Sequence, residues 1–259
     1  NVIFRGGAWK PRTKYYATNG HGKRERVFEG TREEGLIWLA EASRNFDLPI
    51  VSEIMDGKDM RHFLRELDSG RDYFQIGARN SQAFALLYDI GGTDFGVVVK
   101  NPQHGVKPAE AIGSLERMKK NREIVYCIRG FTFTAPGGEG SDMHRKIMNA
   151  YLDDPDQHPD ARNLNNIASI DALRSNTGFI ERGVKIWYDP SHVFGGNSDL
   201  MRRKIGEYAI KALVDFGYDG IIIEVNDRSR NAKCDADQAM LTTTNNIDWT
   251  DTYVGREPD

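Results

Sequence analysis

The feature that most constrains this chain is a repeated unit, in which a short apolar run ends abruptly in a polar or charged residue and a helical segment follows. Seven such runs occur in the 259 residues, and each has the length and composition of a buried strand. Strands that alternate with helices indicate a parallel sheet with helices packed outside it. The residues that follow these runs are Arg5, Glu53, Arg79, Lys100, Arg129, His192 and Glu224.

The predicted strands and helices follow from these runs and from the apolar periodicity between them. A capping box formed by Thr31 and Glu34 is expected at the start of the first helix. The predicted strands cover residues 2–4, 49–52, 73–76, 97–99, 124–128, 184–188 and 220–224. The predicted helices cover residues 32–46, 58–67, 81–89, 108–120, 144–152, 167–175 and 198–216.

The distribution of polar residues over all the strand ends distinguishes two α/β architectures. A (β/α)8 barrel builds its active site from the carboxyl ends of many strands, whereas a doubly wound open sheet gathers such residues at one switch point. The sequence therefore favours a TIM (β/α)8 barrel that occupies residues 1–259 as a single domain. Only seven strands are predicted where this barrel has eight, so the barrel is expected to be one strand short.

Charge and cysteine content exclude several classes of protein. The net charge is −3 with charges of both signs interspersed, which gives no basic field for nucleic acid and no polybasic patch for a membrane surface. No apolar run is long enough to span a bilayer. Two cysteines, Cys127 and Cys234, provide no disulfide framework, which fits a reducing compartment and predicts a cytoplasmic protein.

Six cationic side chains are expected to converge on the mouth of the barrel. Bidentate arginine suits phosphate and carboxylate, and lysine adds a compact positive charge. Any one of these cations could instead pair with a carboxylate on the rim, but six at strand ends indicate a small phosphorylated acid as substrate, with a second phosphorylated partner. The six residues are Arg5, Lys10, Arg12, Arg79, Lys100 and Arg129.

A candidate metal site is formed by residues at and after the ends of the last two predicted strands. His192, Glu224 and Asp235 offer one imidazole and two carboxylates, which suits a borderline divalent cation with open positions for substrate. The alternative is that His192 is a loop residue that hydrogen-bonds to its neighbours and binds no metal. Beside the cations, such a metal would act as a Lewis acid on a carbonyl.

Six motifs, taken together and in order, resemble those of the type I 3-deoxy-D-arabino-heptulosonate 7-phosphate (DAHP) synthase family. The run KPRT distinguishes the chain from the related Kdo-8-phosphate and sialic acid synthases, and the VKNP and RGF variants resemble the subgroup fused to chorismate mutase. The motifs are FRGGAWKPRT from Phe4, QIGARN from Gln75, VVVKNP from Val97, IRGF from Ile128, DPSH from Asp189, and IEV with Asp235 eleven residues after Glu224.

The resemblance implies a function and roles for individual residues. The family condenses phosphoenolpyruvate with erythrose 4-phosphate in the first step of the shikimate pathway, using a divalent metal such as Mn, Fe, Co or Zn. Lys10 would give a proton to the forming alkoxide, and Glu53 would orient a water molecule. Phosphoenolpyruvate would contact Arg5, Lys10, Ala78, Arg79, Lys100 and Arg129; erythrose 4-phosphate would contact Lys10, Pro11, Arg12 and Thr13; the metal would bind His192, Glu224 and Asp235.

The sequence departs from the family pattern in three places. The family's first strand, with a GPCS motif whose cysteine is a fourth metal ligand, is not found, which accounts for the missing strand; Cys127 is a weak candidate to replace that ligand. The loop after Thr13 carries about ten extra residues, read as a solvated loop or as a clamp on the sugar phosphate. The loop at 134–162 is longer than usual and has no functional interpretation.

These departures leave alternatives open. The chain could be a catalytically incomplete homologue that binds phosphoenolpyruvate-like anions or needs a partner segment, or a synthase that uses another phosphorylated aldose. Relatives of this family form dimers or tetramers, so a homo-oligomer is expected.

Overall fold

The structure is a computed structural model, and it describes residues 2–12, 16–18, 22–102, 108–130, 142–143, 146, 163, 165–193, 199–226 and 240–241. The strands are β1 (Phe4–Arg5), β2 (Tyr16–Thr18), β3 (Arg24–Arg26), β4 (Ile50–Glu53), β5 (Tyr73–Ile76), β6 (Gly96–Lys100), β7 (Ile124–Ile128), β8 (Lys185–Tyr188), β9 (Gly220–Ile221), β10 (Val225–Asn226) and β11 (Met240–Leu241). The helices are α1 (Glu33–Phe46), α2 (Met60–Glu66), α3 (Phe84–Ile90), α4 (Pro108–Leu115), α5 (Ser169–Arg174), α6 (Thr177–Glu181) and α7 (Asp199–Val214).

Seven strands form one curled parallel sheet in the order β1-β4-β5-β6-β7-β8-β9. Each strand lies beside the strand that precedes it in the chain, apart from the inserted hairpin β2–β3. The strand order therefore never reverses, which rules out the doubly wound alternative. The prediction of a TIM barrel that lacks its first strand is confirmed, and the described sheet is a half-barrel.

Alternate residues of each strand face two different apolar layers. A small inner cluster consists of Val51, Tyr73, Val98, Val125, Cys127 and Ile222, with Ile3 and Trp187 packed against it. Their neighbours along the strands belong to a much larger outer cluster that includes the helices. The strands of a (β/α)8 barrel show this alternation because one face lines the barrel and the other packs against helices.

The two edges of the sheet face each other across an open cavity. The cavity measures about 860 Å³ and is lined by residues 2–5 on the β1 side and residues 219–225 on the β9 side, with Val51, Tyr73 and Trp187 at its back. The interior of a closed eight-stranded barrel is filled by side chains. A cavity of this size between β1 and β9 therefore marks the position where the described sheet is open.

Several element boundaries differ from the sequence predictions. Helix α1 starts with Arg32 as its N-cap and has no side-chain cap hydrogen bond, so the capping box of Thr31 and Glu34 is wrong. The strand expected over 220–224 is paired only at Gly220–Ile221, and the helix expected over 108–120 ends at Leu115. The helix expected over 144–152 lies almost entirely outside the described residues.

The extra loop after Thr13 contains a two-stranded antiparallel hairpin that the sequence did not predict. Tyr16 pairs with Arg26 and Thr18 with Arg24, and the described side chains of β3 are exposed. The Arg24 guanidinium lies 4.5 Å from the centre of the Tyr16 ring. None of the helices in the described part of the chain has the length and apolar character that crossing a membrane requires.

Candidate active site

The inner face of the sheet continues past its apolar layer into charged and polar side chains. On β4, Val51 is followed two residues later by Glu53, and on β6 Val98 is followed by Lys100. Successive strand residues alternate between faces, so a residue two positions beyond an inner apolar residue has the same inward parity. By this rule the inner set at the carboxyl ends consists of Arg5, Glu53, Gln75, Lys100, Arg129, Asp189 and Glu224.

One cavity at this end brings the predicted residues together. All six predicted cations line it, and so do the proposed metal ligands His192 and Glu224. Such a surplus of positive charge over the carboxylates Glu53 and Glu224 suits a multiply charged anion. The complete lining is Arg5, Lys10, Pro11, Arg12, Glu53, Gln75, Gly77, Ala78, Arg79, Lys100, Arg129, His192 and Glu224.

The segment with Lys10 and Arg12 is fixed to the sheet by backbone hydrogen bonds. The Ala8 N–H donates to Ser52 Oγ of β4 at 3.2 Å, and the Lys10 N–H donates to the Glu29 carbonyl at 2.9 Å. A Cβ atom at Gly7 would lie 2.4 Å from Lys10 Cε, so the lysine side chain packs directly over the glycine backbone. These contacts hold a loop segment over the end of the sheet.

A buried carboxylate joins Lys100 to His192. Lys100 Nζ donates to Asp189 Oδ2 at 2.6 Å, and His192 Nδ1 lies 2.9 Å from the same oxygen. Burial opposes ionisation of Asp189, but the adjacent His192 and Lys100 hold its pKa well below the usual aspartate range. Burial lowers the pKa of His192, Asp189 acts against that decrease, and Arg129 and Lys100 add to it, so the net effect favours the neutral imidazole.

A second chain of polar contacts runs along the opposite wall of the cavity. Arg5 Nη1 lies 3.3 Å from Glu224 Oε1, and Arg5 Nε donates to Gln75 Oε1 at 2.7 Å. Gln75 Nε2 in turn donates to Glu53 Oε2 at 3.1 Å. The guanidinium of Arg5 is therefore held at both ends by side chains from β5 and from the segment after β9.

Glu53 is a buried carboxyl with one oxygen facing a glycine. Burial raises its pKa, although Arg5, Lys100 and Lys10 act against that increase. Its Oε1 has no hydrogen-bond partner among the residues that the structure describes. A Cβ atom at Gly77 would lie 2.0 Å from this oxygen, so only glycine leaves room for Glu53 in this position.

Two asparagines fix the backbone around Arg129. Asn101 Oδ1 accepts from the Arg129 N–H at 2.7 Å, and Asn101 Nδ2 donates to the Gly130 carbonyl at 3.1 Å. Asn163 Nδ2 donates to the Arg129 carbonyl at 2.9 Å. The ends of β6 and β7 are thereby joined, which sets where the arginine side chain begins.

Two of the three predicted metal ligands, His192 and Glu224, lie in the described part of the chain, and both carry donor atoms that a divalent cation binds. Because His192 Nδ1 contacts Asp189, Nε2 would be the atom that binds a metal, a common arrangement for metal-binding histidine. Glu224 lines the same cavity, whereas Asp235 lies outside the described residues. Within the described ranges, no group of three potential ligands is close enough to hold a metal ion.

Cys127 does not suit the role of replacement ligand. It faces the inner cluster, as its parity with Arg129 predicts, but it lies one layer below the cavity and is fully buried. Burial raises the pKa of its thiol to about 12, and a metal requires the thiolate.

Most of the predicted site residues lie around the one cavity, and several important residues were missed. Thr13 and Asp235 lie outside the described residues. Gln75 and Asn101 were missed although both stand inside quoted motifs, and Asn163 had no sequence signal. Asp189 begins the DPSH motif, but no role was predicted for it from the sequence.

Comparison with known proteins agrees with this geometry. Residues 1–150 match the model of the DAHP synthetase I family. A phospho-2-dehydro-3-deoxyheptonate aldolase of Thermotoga maritima is 28% identical over 243 residues, which cover 92% of this chain and 56% of the relative. The chain therefore spans little more than half the length of that relative.

Solved structures from the same organism match as well. The crystal structure of the T. maritima phospho-2-dehydro-3-deoxyheptonate aldolase (DAHP synthase) aligns with a TM-score of 0.66 at 26% identity, over 92% of this chain and 56% of the other. A truncated form of the T. maritima 3-deoxy-D-arabino-heptulosonate 7-phosphate synthase aligns with a TM-score of 0.63 at 24% identity, over 92% and 70%. The second match supports the fold.

Proposed function

Because the chain belongs to the DAHP synthetase I family, we propose that it condenses phosphoenolpyruvate with erythrose 4-phosphate to give DAHP and phosphate. The observation that carries this proposal is the single cavity that brings six cations together with His192 and Glu224. Two phosphorylated substrates, one of which is also a carboxylate, require this density of positive charge.

We assign phosphoenolpyruvate to the inner part of the cavity. Arg5, Lys10 and Lys100 would hold its carboxylate, while Arg79, Arg129 and the Ala78 backbone would hold its phosphate. Hydrogen bonds to the Arg129 N–H and carbonyl hold its backbone in place, which supports this assignment. A charged group stabilises a bound anion best when the protein already holds it in position.

Erythrose 4-phosphate would enter over the segment Lys10, Pro11, Arg12 and Thr13. The enol carbon of phosphoenolpyruvate attacks the aldehyde carbon, and a new C–C bond forms. The aldehyde oxygen becomes an alkoxide, to which Lys10 would give a proton. The Lys10 backbone is fixed by Glu29 and its side chain packs on Gly7, which supports a defined position for its ammonium group.

A divalent metal held by His192, Glu224 and Asp235 would polarise the aldehyde carbonyl of erythrose 4-phosphate. The residues around it prepare the site: Asp189 orients the His192 ring, and burial favours the neutral imidazole that a metal needs. Mn, Fe, Co and Zn are all compatible with one imidazole and two carboxylates.

Glu53 would assist the second half of the reaction. Water adds to the cationic carbon left after C–C bond formation, and phosphate then leaves by cleavage of its C–O bond. Glu53 lines the cavity, and burial raises the pKa of its carboxyl, so the carboxylate can accept a proton from that water.

The test is consumption of phosphoenolpyruvate by this chain with erythrose 4-phosphate, with and without added manganese, and with a chelator. Metal-dependent consumption, with release of one phosphate for each phosphoenolpyruvate, is the expected result. Other phosphorylated aldoses in the same assay determine whether the sugar substrate differs. A folded sample that neither binds nor consumes phosphoenolpyruvate contradicts the proposal.

The open side of the sheet favours a second candidate function. The cavity between β1 and β9 supports a chain that binds phosphoenolpyruvate but turns it over only when a partner segment completes the barrel. In this case calorimetry would detect phosphoenolpyruvate binding while the assay detects no consumption. Turnover by the chain alone would exclude this candidate.

Finer assignments are also proposals. We propose that residues 1–259 form one domain, that the chain belongs to the subgroup resembling chorismate mutase-fused synthases, that it acts in the cytoplasm and that it forms a dimer or tetramer. The VKNP and RGF motifs support the subgroup, and the low cysteine content supports the compartment. Light scattering coupled to size-exclusion chromatography gives the oligomeric state.

A further inference from the structure

We propose that Gln75 is a positioning residue that holds Arg5 and Glu53 apart in one fixed arrangement. The inference rests on the proposed function, since it concerns the same cavity. It assigns a role to a neutral residue that stands between two charged ones.

Gln75 lies between Arg5 and Glu53 on one wall of the cavity. It lies on β5, its register partner on β4 is Glu53, and its partner on β6 is Val98. Its side chain is 1% exposed. Both ends of its amide are used, because Oε1 accepts from Arg5 Nε at 2.7 Å and Nε2 donates to Glu53 Oε2 at 3.1 Å.

Hydrogen-bond chemistry permits only one orientation of this amide. A guanidinium can only donate and an ionised carboxylate can only accept, so the amide oxygen must face Arg5 and the amide nitrogen must face Glu53. Glutamate at this position would bring a second carboxylate against Glu53. Leucine would leave the half-buried Arg5 Nε and the buried Glu53 Oε2 without these partners.

The Gln75 amide therefore bridges Arg5 and Glu53 by two hydrogen bonds, in place of a direct ion pair between them. A direct bidentate pair would occupy the guanidinium edge that an anionic substrate needs. The charged groups acting on Glu53 are Arg5 from β1, Lys10 from the following loop and Lys100 from β6. Gln75 orients Glu53 among these cations and leaves its Oε1 directed at Gly77.

The experiment compares the wild-type chain with Gln75→Leu and Gln75→Glu by calorimetric titration of phosphoenolpyruvate from pH 6 to pH 9. We expect Q75L to raise Kd about 10-fold at all pH values, because Arg5 loses an anchor. We expect Q75E to raise Kd about 30-fold at pH 8 and to recover much of the affinity at pH 6, where two adjacent carboxylates share a proton.

Asn121→Leu provides the structural control. Asn121 donates to the Ile90, Thr93 and Phe95 carbonyls away from the cavity. This variant should lose thermal stability but keep the wild-type Kd and its pH dependence. Wild-type affinity in both Gln75 variants would overturn the inference, and so would a Q75E profile parallel to that of the wild type.

A readout that does not involve substrate separates this inference from the proposed function. Thermal unfolding of Q75L, Glu53→Gln and the double variant should show non-additive shifts in Tm, with Q75L alone lowering Tm by about 5 °C. Additive shifts would overturn the inference. Absence of phosphoenolpyruvate binding by the wild type, with non-additive shifts, would contradict the proposed function while supporting the Gln75 contact. If Q75L does not fold, the same comparison of two single variants with their double variant can be made with Q75E and E53Q.

Discussion

The candidate site has an anion-binding half, which includes Lys100 and Arg129, and a metal-binding half, which includes Glu224. The sheet supports these residues to different degrees. Lys100 ends β6 and Arg129 follows β7, and both strands have neighbours on both sides and are buried along their whole length. Glu224 follows β9, which is two residues long and lies at the open edge. Lys100 and Arg129 are therefore held by strands inside the described sheet, whereas Glu224 depends more on segments beside the open edge.

This difference predicts that substrate binding and turnover can be separated by mutation. Changes in the anion-binding half should weaken phosphoenolpyruvate binding and also destabilise the fold, because the same buried contacts serve both. Changes in the metal-binding half should remove turnover with little effect on folding.

The largest effect is expected for His192→Ala. Loss of a metal ligand should reduce metal-dependent turnover at least about 1000-fold and lower the amount of bound manganese, because the remaining ligands cannot hold the ion. Phosphoenolpyruvate affinity should change less than about 10-fold. Retained turnover would contradict the metal role, and His62→Asn, outside the cavity, is the control.

Lys100→Met should affect both binding and stability. It removes one partner of a buried ion pair whose side chains are 3% and 0% exposed, so the free energy of unfolding should fall by about 3 kcal/mol. Kd for phosphoenolpyruvate should rise about 100-fold. The matched control is Lys185→Met, which breaks a more exposed pair with Glu123 and should cost less than about 1 kcal/mol in denaturant unfolding.

Gly77→Ala tests the placement of Glu53. The added Cβ overlaps Glu53 Oε1, so the carboxyl must move and the free energy of unfolding should fall by about 2 kcal/mol. Turnover should fall about 10-fold because the carboxyl leaves its position. Gly113→Ala, where an added Cβ meets nothing within 4 Å, should leave turnover unchanged.

The smallest effect is a dependence of stability on pH. Since burial raises the pKa of Glu53, the stability linked to this group is complete below the ordinary glutamate range and is lost as pH rises through the raised pKa. Glu53→Gln should therefore be more stable than the wild type by about 1 kcal/mol at pH 8.

That advantage should disappear in acid, where Glu53 is protonated in both the folded and unfolded wild-type chain. Thermal unfolding across this pH range measures it. An advantage that is constant with pH would show that ionisation of Glu53 is not the cause.

The sequence allowed prediction of the charged residues because each follows an apolar run whose alternation determines the face. Lys100 and Arg129 could be placed from this rule alone. Gln75 and Asn101 could not, because a neutral amide gains its role from cross-strand register and from the donor or acceptor it meets. The hairpin was missed because RER has no apolar alternation.

The strand after Phe216 shows the opposite error. Its apolar residues extend from Ile221 to Ile223, which predicts a longer strand, but hydrogen bonding in a sheet also requires a neighbour. The described sheet offers β9 a partner only on the β8 side. The apolar composition was enough to locate this strand. Its length depends on the neighbouring strands, which the composition does not reveal.

The shared oxygen of Asp189 has a thermodynamic consequence. Asp189 Oδ2 contacts both Lys100 and His192, so a ligand that repositions one of them changes the surroundings of the other. Linkage makes such an effect reciprocal. If metal binding increases the affinity for phosphoenolpyruvate by some factor, phosphoenolpyruvate must increase the affinity for the metal by the same factor. A chelator at equilibrium should then remove less of the ion from the substrate complex than from the free protein.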